Sequence, residues 1–445
     1  SSVHHRHSVF SEGELMALNL TRRARSRALS LLTVLAIIAT FVSACATPGG
    51  GGIKAGPGVD TAKKEISLGI LTPLSGPVAA PIGIPLTKGI ETYFDAVNAN
   101  GGIDGYKIKL VEKDTKYSPQ LQVQTYNEIH NQVLMLAESL GSAPTQAIVS
   151  LSERDKMLVS AATLDSILAR QQYMIMIGTP YRLQVENGLE YAIKVASQLG
   201  VSNPKIGIIS QDDAYGQDGV KGYEEALGCY SNLSDVARAT YETTDTSFVA
   251  QVTKMKQAGA QFVVLTAVPS SAGAIIGTAA QLGYFPQWIL NSPAWLNAFV
   301  GSNGPQFDQL LEKSVWVVAQ GAAWGDRSQP GMAEMLDNIQ KYASDQKPDG
   351  YFQFGYAEAK VTYAILKKAI ANGDLTRDGL LKAFNELGTV SLGGLFGADA
   401  KYGSSPDQRV PTRDSTVYGI DPSVPGNLKS MSGDFTSSCA AKSSF

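Results

Sequence analysis

The chain is poor in the residues that catalysis and metal binding use most. It has four histidines and three cysteines in 445 residues. His4, His5 and His7 precede Met16, a candidate start, which leaves His130 alone in the body of the protein. One histidine and so few thiols do not build an ordinary structural zinc site. A Ser-His-Asp arrangement would have to recruit His130 from NEIHNQ, and no G-x-S-x-G elbow surrounds a serine. There is no P-loop. Carboxylate neighbours such as Asp212-Asp213 read as solvated loop acids, and nothing marks a glycosidase pair. Basic blocks are missing after residue 27 and the net charge is −3, which argues against a nucleic-acid partner. Beyond residue 42 no apolar run is long enough to cross a membrane. These absences point away from enzymes, metals and cofactors.

The chain does contain an export signal. TRRARSR (21–27) carries four arginines, and Ala28–Val42 follows with fifteen uncharged residues. At ~1.5 Å per residue that run spans ~22 Å, short of a ~30 Å hydrocarbon core. A basic flank, an apolar stretch and small residues before Cys45 read as a cleaved signal, with a membrane-spanning helix as the plainer alternative. Val42-Ser43-Ala44-Cys45 resembles a bacterial lipobox, in which the thiol takes a diacylglycerol and the chain is cut before it. Residues 1–44 are therefore expected to be a signal peptide with an upstream extension. Residues 45–64 are expected to be a lipidated cysteine and a flexible tether. The Gly-rich part, Thr47–Asp60, would reach roughly 20 Å as a coil. Two acyl chains suffice for a stable anchor.

Residues 46–445 are long enough for two domains. With Cys45 lipidated, Cys229 and Cys439 remain. In an oxidising compartment they read as one disulfide; the alternative is two free thiols.

Strand and helix patterns alternate after Asp60. Strands are predicted at Glu65–Leu71, Lys107–Lys113, Val133–Ala137, Met157–Ser160 and Tyr173–Ile177. The series resumes at Lys205–Ser210, Asp235–Tyr241, Phe262–Ala267 and Gln287–Leu290. Helices fall between them, among them Pro85–Ala99, Gln120–Gln132, Gln146–Arg154, Gln184–Leu199, Gln217–Leu227, Phe248–Ala258 and Ala272–Leu282. Such alternation implies right-handed βαβ units, and two runs of it imply two α/β lobes with parallel sheets. Ligands of such sheets sit beyond the carboxyl ends of the strands.

Several segments, in order, resemble type I periplasmic binding proteins of the leucine/isoleucine/valine-binding family of ABC-transporter receptors. They are Gly69–Pro77 (GILTPLSGP), Asn98–Gly105 (NANGGIDG), Gly141–Gln146 (GSAPTQ), Tyr215-Gly216 and Phe352–Tyr356–Ala357. The likeness covers about Glu65 to Tyr418. It implies two Rossmann-like lobes joined by three crossovers, near Ile177–Tyr181, Val318–Ala323 and Gly393–Gly397. Residues 65–178 plus 323–393 would then form the N-lobe, and 179–322 plus 394–445 the C-lobe. Cys229 and Cys439 would share a lobe. A ligand would bridge the lobes and favour their closed state, which a membrane permease reads.

The same resemblance places ligand contacts at Ser142, Ala162 and Thr163 after N-lobe strands, and at Tyr215, Val268, Ser292 and Trp295 after C-lobe strands. One departure bears on the ligand. Amino-acid receptors of this family pair the α-ammonium with an acid in the loop after the strand matching Gln287–Leu290. Here that loop reads Asn291-Ser292-Pro293-Ala294-Trp295. An ammonium buried without a carboxylate is costly, so a plain branched-chain amino acid is not the expected ligand. An uncharged or carboxylate compound with an apolar body suits the loop better. The expected protein is a monomeric, lipid-anchored receptor on the extracytoplasmic face of a bacterial membrane, with no cofactor. A sensory receptor with the same clamshell is the alternative, and a surface hydrolase a further one.

Overall fold

A computed structural model describes residues 52–409 and 412–444; the expected signal peptide, Cys45 and the expected tether as far as Gly51 lie outside them. No helix among the described residues is long and apolar enough to cross a membrane.

Two parallel sheets organise the described chain. The first holds β1 (Glu65–Thr72), β2 (Lys107–Asp114), β3 (Leu136–Leu140), β4 (Val159–Ala162) and β5 (Met174–Ile175), in the order β2-β1-β3-β4-β5. The second holds β6 (Lys205–Gln211), β7 (Ser234–Tyr241), β8 (Phe262–Thr266), β9 (Gln287–Asn291) and β10 (Val315–Ala319) in the same order, β7-β6-β8-β9-β10. Two antiparallel strands, β11 (Ser415–Ile420) and β12 (Leu428–Phe435), extend its far edge. Central strands such as FVVLT (β8) are buried along their whole length, as a sheet covered on both faces requires. In each sheet the winding reverses between the first and third strands, and ligand crevices open at such switch points.

Helices α1 (Ile84–Ala99), α2 (Tyr181–Gln198), α3 (Ala214–Cys229) and α4 (Gly350–Ala371) frame the two layers. Packing against each other on the first sheet, α1 and α4 cross at glycines. A Cβ on Gly89 would lie 2.1 Å from the Phe352 carbonyl, and one on Gly355 2.0 Å from that of Leu86. Only glycine permits so close an approach. Helix α2 packs on α3 and on β9 and β10, so it belongs to the second layer.

The chain passes between the layers three times: from β5 through Gly178 into α2, from β10 through Gln320–Ala323 toward α4, and back before β11. That last passage differs from expectation. The glycines at 393–397 look like a linker, yet Leu392, Leu395 and Phe396 are buried in the first core. A hairpin of Gly388–Val390 and Ala400–Tyr402 closes around them. The return to the second sheet therefore lies between Tyr402 and Ser415.

The flexible reading also fails for the end of the tether. Lys54–Ala55 pairs in parallel with Asp374–Leu375, and Val59–Asp60 antiparallel with Glu65-Ile66. These bonds are made by backbone alone, so a Gly-rich composition conceals them. Cys229 and Cys439 are joined, with Cα atoms 5.8 Å apart. Cys229 is the last residue of α3 rather than lying beyond the helix.

Candidate functional site

The carboxyl ends of the two sheets face each other across a cavity of about 160 Å³. All seven expected ligand contacts line it: Ser142, Ala162, Thr163, Tyr215, Val268, Ser292 and Trp295. Ala162 ends a strand and the other six follow one closely, so their convergence comes from the winding of the sheets. The two layers touch around the cavity, where the Tyr351 hydroxyl donates to the Pro293 carbonyl at 2.6 Å.

Polar groups concentrate at one end. The Ser142 and Thr163 hydroxyls are 2.8 Å apart, and the Thr163 hydroxyl lies 3.3 Å from that of Tyr181. Three hydroxyls carry three protons and two bonds join them, which leaves one donor for a bound acceptor. The turn Ser142–Ala147 starts at the same point, and the leading N–H groups of a helical turn have no partner inside it. Together they make an acceptor-binding corner.

Elsewhere the walls are largely apolar, and the polar atoms of Tyr215 and Trp295 are already engaged. The Tyr215 hydroxyl is buried and donates to Asn291 Oδ1 at 2.7 Å. Expected as a loop residue, Tyr215 instead stands in the first turn of α3, where Asp213 caps the helix. It stacks edge-to-face on Tyr181, with centroids 4.8 Å apart. The Trp295 indole N–H donates to Asn297 Oδ1 at 2.8 Å, so the ring is what remains for a ligand. The Ser292 backbone N–H goes to Gln184 Oε1 at 2.8 Å.

Among the described residues no Lys, Arg or His lines the cavity, and Asp349 is the one carboxylate there. Asp349 caps α4, accepting from the Tyr351 N–H at 2.7 Å. Asp349 is half-buried, and desolvation pushes its pKa up to about 6. The second layer's loop at 291–295 supplies no acid, in keeping with its sequence.

Several lining residues escaped the sequence reading: Tyr117, Tyr181, Trp324, Asp349, Phe354 and Phe396. Asp349 had a local signal, an Asp-Gly pair before a helical run. Tyr181 and Tyr117 had none, since each enters the cavity from a crossover or a tight loop.

A family model described as periplasmic binding protein matches residues 65–423. Among curated proteins, the chain is similar to Leu/Ile/Val-binding protein homolog 7 of Brucella abortus (strain 2308), 26% identical over 320 residues, 70% of this chain and 79% of that one. Among solved structures it is similar to a fatty acid ABC transporter substrate-binding protein from Thermomonospora curvata, with TM-score 0.80 and 26% identity over 88% of this chain and 97% of that one. A branched chain amino acid ABC transporter protein from Thermus thermophilus with bound valine shares the fold, at TM-score 0.72 and 16% identity over 85% and 98% of the chains.

Proposed function

This chain belongs to the periplasmic binding protein family, and from that membership we propose that it is the extracytoplasmic receptor of an ABC importer for a small carboxylate with an apolar body. One observation carries the ligand class. The cavity joins an acceptor-binding corner at Ser142 and Thr163 to largely apolar walls, and the one carboxylate among its described lining residues, Asp349, caps a helix. A carboxylate would accept from the corner, and charge-assisted bonds of this kind are the stronger class. An α-ammonium would find a single carboxylate among the described lining residues, Asp349, which already accepts the Tyr351 N–H. The likeness to the Thermomonospora protein, whose description names a fatty acid, supports the same class.

The cavity resembles in size the roughly 150 Å³ apolar cavity that admits benzene, so the apolar body is short. Val268, Trp295 and Phe354 would cover it. Titration calorimetry of the purified protein with butanoate, hexanoate and octanoate tests the reading. Affinity should rise about fourfold per methylene until the cavity is full. Micromolar binding of leucine or valine, with none of the acids, would overturn it.

The receptor would be held to the membrane by a diacylglycerol on Cys45 and would hand its ligand to a permease. Metabolic labelling with a radioactive fatty acid should mark the wild type and not Cys45→Ala; equal labelling would remove the anchor.

A further inference from the structure

A tight loop after β2 carries two consecutive non-glycine residues in the left-handed region, Lys116 at φ 50° and Tyr117 at φ 61°. For a bulky residue this is an outlier, held only where the surroundings over-determine it. Here the Asp114 carboxylate does so, accepting from the Leu74 N–H at 2.9 Å, the Ser75 hydroxyl at 2.5 Å and the Lys116 N–H at 2.9 Å. The conformation lays the Tyr117 ring along the cavity wall. The residue beneath it is Gly141, where a Cβ would stand 2.5 Å from the ring.

The Tyr117 hydroxyl then leaves its own lobe. It donates to Asp213 Oδ2 at 3.4 Å, at the cap of α3 in the second layer. Gln211 Nε2 donates to the same oxygen at 2.6 Å, and the Gly216 N–H to the other at 3.1 Å. The acceptor is therefore fixed before Tyr117 reaches it. Burial and the neighbouring Asp213 charge keep the phenol protonated, as a donor must be.

We propose that Tyr117 is a positioning residue that couples a filled cavity to closure of the two lobes, its ring forming the wall of one lobe while its hydroxyl bonds Asp213 of the other. The proposal rests on the clamshell reading above. A ligand pressed against the ring holds the phenol over Gly141, where it meets Asp213. Separating the lobes breaks that bond, so it belongs to the closed state alone.

The test uses spin labels on Lys109→Cys in β2 and Lys221→Cys in α3, both exposed positions. Distance distributions are recorded for the wild type, Tyr117→Phe, Asp213→Asn and the double variant, with and without octanoate. The ratio of closed to open molecules should fall about fivefold in Tyr117→Phe. The double variant should show no further loss, since one bond is removed twice. Octanoate should leave Tyr117→Phe about fivefold faster at an unchanged association rate, a split that a general loss of structure would not produce. Asn caps a helix as well as Asp, so Asp213→Asn serves if Tyr117→Phe fails to fold. Distributions identical to the wild type overturn the coupling whether or not octanoate binds. If the wild type binds no acid, the ligand reading fails, and the distances alone decide on Tyr117.

Discussion

The two lobes share one strand order and differ in what holds their interiors. In the first, Asp165 beyond β4 is buried, and two carboxyls lie deep in the core: Glu138 on β3 and Glu358 on α4, both at most 1% exposed. Hydroxyls serve them, Thr87 donating to Glu138 at 2.7 Å and Ser160 to Glu358 at 2.9 Å. One oxygen of each, and the Thr362 hydroxyl, have no partner. Desolvation raises both carboxyls, Glu138 to about 8, so this lobe folds around neutral acids. The second lobe packs Trp288, Ile276 and Leu311 over one face of its sheet and Tyr223 and Trp316 over the other. It adds the Cys229–Cys439 bond, which closes 210 residues. Buried acid is common to both, since Glu186 on α2 of the second lobe is fully buried and raised to about 8, so the covalent cross-link is what sets the second apart. The fold constrains strand order, and each core finds its own means of satisfying it.

Reduction should separate the lobes most sharply. In the chain-entropy model a loop of 210 residues is worth about 5 kcal/mol. Denaturant unfolding of Cys229→Ser, followed through Trp288 and Trp316 fluorescence in the second sheet, should show a loss approaching that size. An unchanged midpoint would leave the second lobe no better fastened than the first.

Changing pH acts on both lobes, since burial raises Glu186 on α2 to about 8 as it does Glu138, and Glu138→Gln isolates the first. An unfolded glutamate releases its proton near 4.5 and the folded Glu138 near 8. Between those values the native state holds the extra proton, so stability falls as pH rises and levels off above about 8. The slope from this one group is about 1.4 kcal/mol per pH unit. Glu138→Gln should remove that share of it in unfolding curves recorded from pH 5 to 9. If the slope persists unchanged, Glu138 is already ionised and the neutral-acid interior of the first lobe fails.

The smallest expected effect compares the cavity's two sides. Ser142→Ala removes one hydroxyl from the acceptor corner and should weaken octanoate about fivefold. Tyr215→Phe, whose hydroxyl is spent on Asn291, should change affinity less than twofold. Calorimetry showing the reverse order would move the polar head to the second lobe.

Much of this was legible in the chain. Long apolar runs such as Phe262–Thr266 announce buried strands wherever they occur, and the ends of those strands mark the cavity. Strand β3 was misplaced by three residues, at 133–137 instead of Leu136–Leu140. Glu138 and Ser139 look like the end of an apolar run. They continue it because Thr87 and Gln122, far away in sequence, meet their oxygens. Tyr215 was found although its element was misjudged: Asp213 begins the helix earlier than the apolar spacing suggests.

Periodicity, turn chemistry and the placement of two cysteines are local properties, and they were enough to specify two parallel α/β lobes, a cavity between strand ends and the residues immediately following those strands. Tyr117 over Gly141, Asp349 as the lone carboxylate of the cavity's described lining, and the burial of Glu138 and Glu358 became visible only in three dimensions. Each depends on which distant side chain excludes water from it or bonds to it, and desolvation and cross-lobe contact have no signature in the order of residues.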